Sequence, residues 1–79
     1  MHSNSMTQDT FVQIIRAVIG TKAQLTSFKD SKLVALGREY GTGKLSPSEA
    51  VERLKGVFSD DFDLGRHEYA EIEKRLERY

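Results

Sequence analysis

Two histidines and twelve carboxylates are the side chains in this chain best suited to general acid–base or metal chemistry. His67 has Asp63 four residues before it and Glu71 four residues after it, so on a helix all three share one face. Histidine and carboxylates bind divalent cations. A closed site, however, needs a second nitrogen or sulfur ligand, and His2 stands far away in a polar N-terminal tail. No metal site is therefore assigned, and the trio reads as a solvated charged face. Asp60-Asp61-Phe62-Asp63 begins like an acidic calcium loop but lacks the glycine at position six and the glutamate at position twelve. Those acids instead suit the end of one helix and the start of the next. Gly41-Thr42-Gly43-Lys44 has the letters of a phosphate loop without the spacing between glycines or the preceding strand. Serines are plentiful, but no Ser-His-Asp set emerges, so acyl transfer is not expected. Neither catalytic residues nor a cofactor is assigned, and the chain is not expected to be an enzyme.

The elements that carry these residues are clearest at mid-chain. In Gly41-Thr42-Gly43-Lys44-Leu45-Ser46-Pro47-Ser48-Glu49-Ala50, either glycine can take the left-handed conformation that ends a helix. Ser46 and Glu49 have capping-box spacing, Pro47 fits the first helical position, and Leu45 and Ala50 hold the staple positions. The segment is the turn of an αα-hairpin. Upstream, Phe11, Ile14, Ile15, Val18 and Ile19 form a helical stripe from Thr7 or Asp9 to Ile19, stopped by Gly20. A second helix is expected over Lys22 to Tyr40. Leu25 and Phe28 form one apolar pair in it, and Leu33, Leu36 and Tyr40 a second stripe with Val34 alongside. Lys29-Asp30-Ser31 offers a break between the two sets. Gly37, costly inside a helix, suggests a close helix–helix approach. A third helix, from Pro47 to Phe58, buries Ala50, Val51, Leu54, Val57 and Phe58. A fourth, from Phe62 or Leu64 to Tyr79, presents Tyr69, Ile72, Leu76 and Tyr79 on an otherwise charged rod.

Composition bounds the rest. The chain of 79 residues makes one domain, assigned to residues 7–79, with residues 1–6 a disordered or non-native tail. Helical periodicity still running at Tyr79 points to a piece of a larger protein. Twelve basic and twelve acidic residues cancel, which disfavours a nucleic-acid binder. A helix-turn-helix reading also meets Glu49 and Glu52 where DNA phosphates would lie. There is no cysteine, which suits a reducing compartment: the cytoplasm, with the nucleus as the alternative. No apolar run is long enough to span a membrane.

Tyr40, Gly43, Leu45, Ser46 and Glu49, within the segment Leu36 to Ala50, also resemble one helical module. It is the paired-amphipathic-helix-like (PAH-like) domain near the C-terminus of the RING zinc-finger ubiquitin ligases that sense collided ribosomes. The stretch from Phe11 to Gly20 and the Leu25…Phe28-Lys29 run look like that module's first helix and second-helix start, so the likeness covers roughly residues 10–60. The module often carries two aromatics just inside its third helix, where this chain has Ala50-Val51, and an apolar final helix, where residues 65–79 here are mostly charged. The resemblance implies a four-helix bundle that binds partner segments and leaves ubiquitin transfer to a RING.

The expected architecture is an all-α, four- or five-helix, up-and-down bundle. Its expected function is protein–protein interaction. If the first two helices splay, a groove for an amphipathic helix or short apolar motif opens between them. Phe11, Ile15, Val18, Leu25, Phe28 and Val34 would line it, with Lys29 and Lys32 on the rim. The alternatives are self-association through the fourth helix and, third, nucleic-acid binding. A monomer suits the leading reading.

Overall fold

The computed structural model describes residues 7–78. Four helices make up the fold: α1 (Gln8–Ile19), α2 (Ser27–Gly41), α3 (Pro47–Val57) and α4 (Arg66–Glu77). No strand occurs among the described residues. No helix among them is long and apolar enough to cross a membrane. The residues assigned to the N-terminal tail, with His2, lie outside the described part, as does Tyr79.

Local chemistry sets most of the boundaries. Thr7 caps α1 by accepting the Thr10 N–H at 3.1 Å. Gly20, at φ +58°, closes it and donates to the Arg16 carbonyl at 2.9 Å. At the end of α2 it is Gly43, not Gly41, that takes the left-handed conformation, at φ +80°. Gly43 N–H reaches Tyr40 O and Lys44 N–H reaches Glu39 O, each at 3.1 Å, which is the Schellman pattern that satisfies the last helical carbonyls. The expected capping box at α3 is formed: Ser46 Oγ accepts the Glu49 N–H at 3.1 Å, and Glu49 Oε1 accepts the Ser46 N–H at 2.9 Å. Leu45 and Ala50 are both buried beside it.

Two boundaries differ from expectation. α2 begins at Ser27, not Lys22, because Thr26 takes an extended conformation and accepts the Lys29 N–H at 3.2 Å. Leu25 therefore precedes the cap, and the Leu25–Phe28 pair does not share a helical face. No break occurs at Lys29-Asp30-Ser31. Asp30 lies in the first turn, where its charge suits the helix dipole, and it pairs with Arg16 of α1 at 2.5 Å. α4 begins at Arg66, not Phe62 or Leu64. A turn closed by Leu64 N–H to Asp61 O, 3.1 Å, occupies that stretch, and Gly65 caps the helix.

The helices pack in a ring, α1 on α2, α2 on α3, α3 on α4 and α4 back on α1. Contacts at their ends establish the alternating directions. The α1 end meets the α2 start through Arg16–Asp30, and the α2 start meets the α3 end through Lys29–Asp60. Lys22, just after α1, reaches Glu68 at the start of α4. The α2 and α4 C-termini meet where the Tyr40 hydroxyl donates to the Leu76 carbonyl at 3.2 Å. The molecule is thus the up-and-down bundle that the short connections imply. One core fills it, in which Phe11, Ile15, Leu33, Ala50, Leu54 and Leu76 are fully buried.

Gly37 sits at a close crossing of α1 and α2. A Cβ there would stand 3.2 Å from the Gln8 carbonyl oxygen and 3.2 Å from Phe11 Cδ1. Close approach of α1 to α2, anticipated from this glycine, lets Phe11 lie under α2 with its ring centroid 5.6 Å from that of Tyr40. Gly37→Leu is expected to destabilise the domain by about 1–3 kcal/mol through overpacking. Ser46→Ala should cost about 0.5–2 kcal/mol through the lost cap. Urea unfolding followed by circular dichroism measures both.

Candidate protein-docking surface

The residues chosen for chemistry do not converge. His67 is exposed, and Glu71 is held by Arg75 at 2.8 Å. Among the described residues no three His, Cys, Asp or Glu side chains come close enough to share a metal ion. The phosphate-loop letters at Gly41–Lys44 form the Schellman turn, and Asp60–Asp63 lie in the α3–α4 connection.

The six apolar residues expected to line a groove divide into three sets. Phe11 and Ile15 are fully buried in the core. Val18, Leu25 and Val34 are half-buried and pack against the edge of that core. Only Phe28, 70% exposed, presents a large apolar surface to solvent. The splayed α1–α2 groove is thus corrected: at Gly37 the two backbones come too close to leave a channel, and Phe11 seals the space beneath them.

The apolar surface left over lies on the other side of α2. A shallow depression of about 280 Å³ runs between α2 and α3, lined by Lys32, Ala35, Leu36, Glu39, Arg53 and Val57. Lys32, Ala35 and Glu39 recur at helical spacing, and Phe28 stands one turn before Lys32 on the same strip. The Lys32 ammonium sits 5.1 Å from the Phe28 ring centroid, a cation–π arrangement. The far end is rimmed by Glu39 and Arg53, 3.7 Å apart. Two other depressions lie between α3 and α4 and between α1 and α4, and neither is lined by a residue in contact with an exposed aromatic ring.

Lys29 does not stand on the rim of that strip. Its side chain turns the other way, 13% exposed, and its ammonium bonds Asp61 at 2.6 Å and Asp60 at 3.0 Å. It also lies 5.6 Å from the Phe58 ring centroid. The bond to Asp61, then that to Asp60, raises the Lys29 pKa above its ordinary value, and Lys29 in turn lowers that of Asp60. This clamp holds the α3–α4 connection against the start of α2. Beside it Phe62 is 93% exposed, a residue expected to begin the fourth helix. A phenylalanine set among three aspartates was the signal in the sequence that this segment faces water.

Among the described residues, the stripe on α4 is turned inward. Tyr69, Ile72 and Leu76 are buried within the bundle, at 9%, 1% and 0% exposure. The outer-helix reading of α4 accounts for them, and pairing through α4 has lost its apolar surface among the described residues.

Glu68 is the buried charge in the core layer, 7% exposed. Its carboxylate takes a hydrogen bond from the Lys22 ammonium and another from the Gly65 N–H at 2.7 Å. Lys22 first, then the backbone donor, lowers its pKa from 4.5 to about 2. A depressed carboxylate stabilises the fold in full above its unfolded value and loses that contribution as pH falls toward the folded one. The melting-temperature difference between wild type and Glu68→Gln should therefore be largest at neutral pH and shrink between pH 4.5 and about 2. Thermal melts across that range test it.

In comparisons with family models, curated proteins and solved structures, nothing matches this chain.

Proposed function

We propose that this chain is a non-catalytic protein-interaction module, and that its docking strip is the outer face of α2 beside α3. The carrying observation is Phe28, a large apolar ring 70% exposed one helical turn before Lys32, which lines the α2–α3 depression with its ammonium 5.1 Å from the ring centroid. A solitary exposed apolar side chain is ordinary. Here Lys32 links the ring to a depression that Ala35, Leu36 and Val57 line together with the charged Lys32, Glu39 and Arg53. That combination of apolar floor and polar rim suits an amphipathic helix or short apolar motif laid along the groove. The likeness to the PAH-like module of ribosome-associated RING ubiquitin ligases supports the same reading, in which this domain supplies recognition and another domain the chemistry. The cysteine-free composition fits work in the cytoplasm or nucleus.

The amide spectrum of the nitrogen-labelled domain, titrated with amphipathic helical peptides, tests the reading. Shifts are expected at Phe28, Lys32, Ala35 and Val57. Phe28→Ala should weaken binding about tenfold, equivalent to about 1.4 kcal/mol. The same change should move stability by no more than about 0.5 kcal/mol, as for an exposed site. Shifts confined to α4 would overturn the assignment.

A further inference from the structure

We propose that a second copy of this chain docks at the Phe28 end of the strip, through its Asp60-Asp61-Phe62-Asp63 turn. This rests on the docking role of Phe28 and names its partner.

The turn is a preformed knob. Asp61 N–H donates to Phe58 O at 2.9 Å and Leu64 N–H to Asp61 O at 3.1 Å. Its flanks, Phe58 and Leu64, are 2% and 8% exposed. The backbone at Phe62 is held at the tip between two anchored core residues, which keeps the ring on the outside. A turn already formed adds no backbone ordering cost on binding, which leaves the ring's own rotamers to be fixed.

Charge makes knob and strip complementary. Phe62 stands between Asp61 and Asp63, with Asp60 close by in the turn. Asp63 is exposed, and the Asp60 side chain is 74% exposed. Phe28 is covered on one side by the Lys32 ammonium. Neither Lys32 nor Asp63 makes an ion pair with another described residue. An acidic aromatic knob and a basic aromatic receptor are thereby paired in chemistry.

Position puts knob and receptor at the same end of the bundle. The Lys29 clamp joins the residue after Phe28 to the residues before Phe62, so both features occupy one end of the bundle. The two do not satisfy each other within a single copy, since Phe62 remains 93% exposed beside the clamp. A two-fold axis through that end lets each copy present its knob and receive its partner's, with both contacts formed at once.

The size of the surface sets the strength. A buried aromatic side chain covers about 150–250 Å². Four rings per dimer therefore supply under about 1,200 Å², below the range of stable complexes. The pairing is weak and concentration-dependent, and salt weakens it.

Sedimentation equilibrium from micromolar to millimolar protein tests the inference. The average mass is expected to rise from 9.0 kDa toward twice that value, and less so at high salt. Lys32→Glu and Asp63→Lys are both exposed changes, and each alone places like charges at both contacts and should hold the chain at 9.0 kDa. Mixed together, K32E and D63K chains place opposite charges at both contacts, so association should return. A constant 9.0 kDa for wild type overturns the pairing, as does undiminished association in either single variant. If peptide titration still shifts the Phe28 strip while wild type stays monomeric, only the self-pairing falls. If the strip responds to neither peptide nor second copy, the docking role of Phe28 falls with it.

Discussion

The close crossing of α1 and α2 at Gly37 is the constraint from which the remaining features follow. A Cβ at this position would crowd the Gln8 carbonyl and the Phe11 ring at 3.2 Å each, and the close approach places the Phe11 ring under α2 against Tyr40. With Phe11 and Ile15 enclosed, the first two helices have no channel between them. The apolar side chains of α2 that do not face α1 must then face α3 or water. Leu33 and Leu36 go to the core, and Phe28 remains outside.

Polar contacts then hold the ends of a ring whose middle is held by packing. Arg16–Asp30, Lys29 with Asp60 and Asp61, Lys22–Glu68 and Tyr40–Leu76 each join two helices or a helix to a connection. Exposed ion pairs such as Arg16–Asp30 contribute little to stability. Their value here is geometric, because each restricts how one helix end sits on its neighbour. The Tyr40 bond does more: it gives a side-chain donor to a carbonyl in the last turn of α4, where the helix ladder is running out of donors. Burial raises the Tyr40 pKa, so the neutral, donating form persists.

The Lys29 clamp links fold to surface. It holds Asp60 and Asp61 at the α2 start, between the Phe58 end of α3 and the Gly65 cap of α4, and the intervening turn projects Phe62. Two aromatics, the large apolar residues most exposed among the described ones, consequently share one end of the domain. Their placement reflects the demands of the connection, since the core is already full without either ring.

Local chemistry, written in consecutive residues, determined the helices and most of their ends: the Ser46–Glu49 box, the glycine stops, the 3.6-residue stripes and the absence of any strand pattern. It also marked Gly37 as a point of close approach. The α2 start was less legible, because Thr26 and Asp30 both have cap chemistry and only the fold selects Thr26. Which stripe meets which was not written locally at all. Phe11, Ile15, Val18, Leu25, Phe28 and Val34 are similar in hydropathy, yet the fold leaves them with very different exposure. The tertiary structure decided it, because burial depends on which helix lies opposite, and a 3.6-residue period specifies a face without naming the neighbour that covers it.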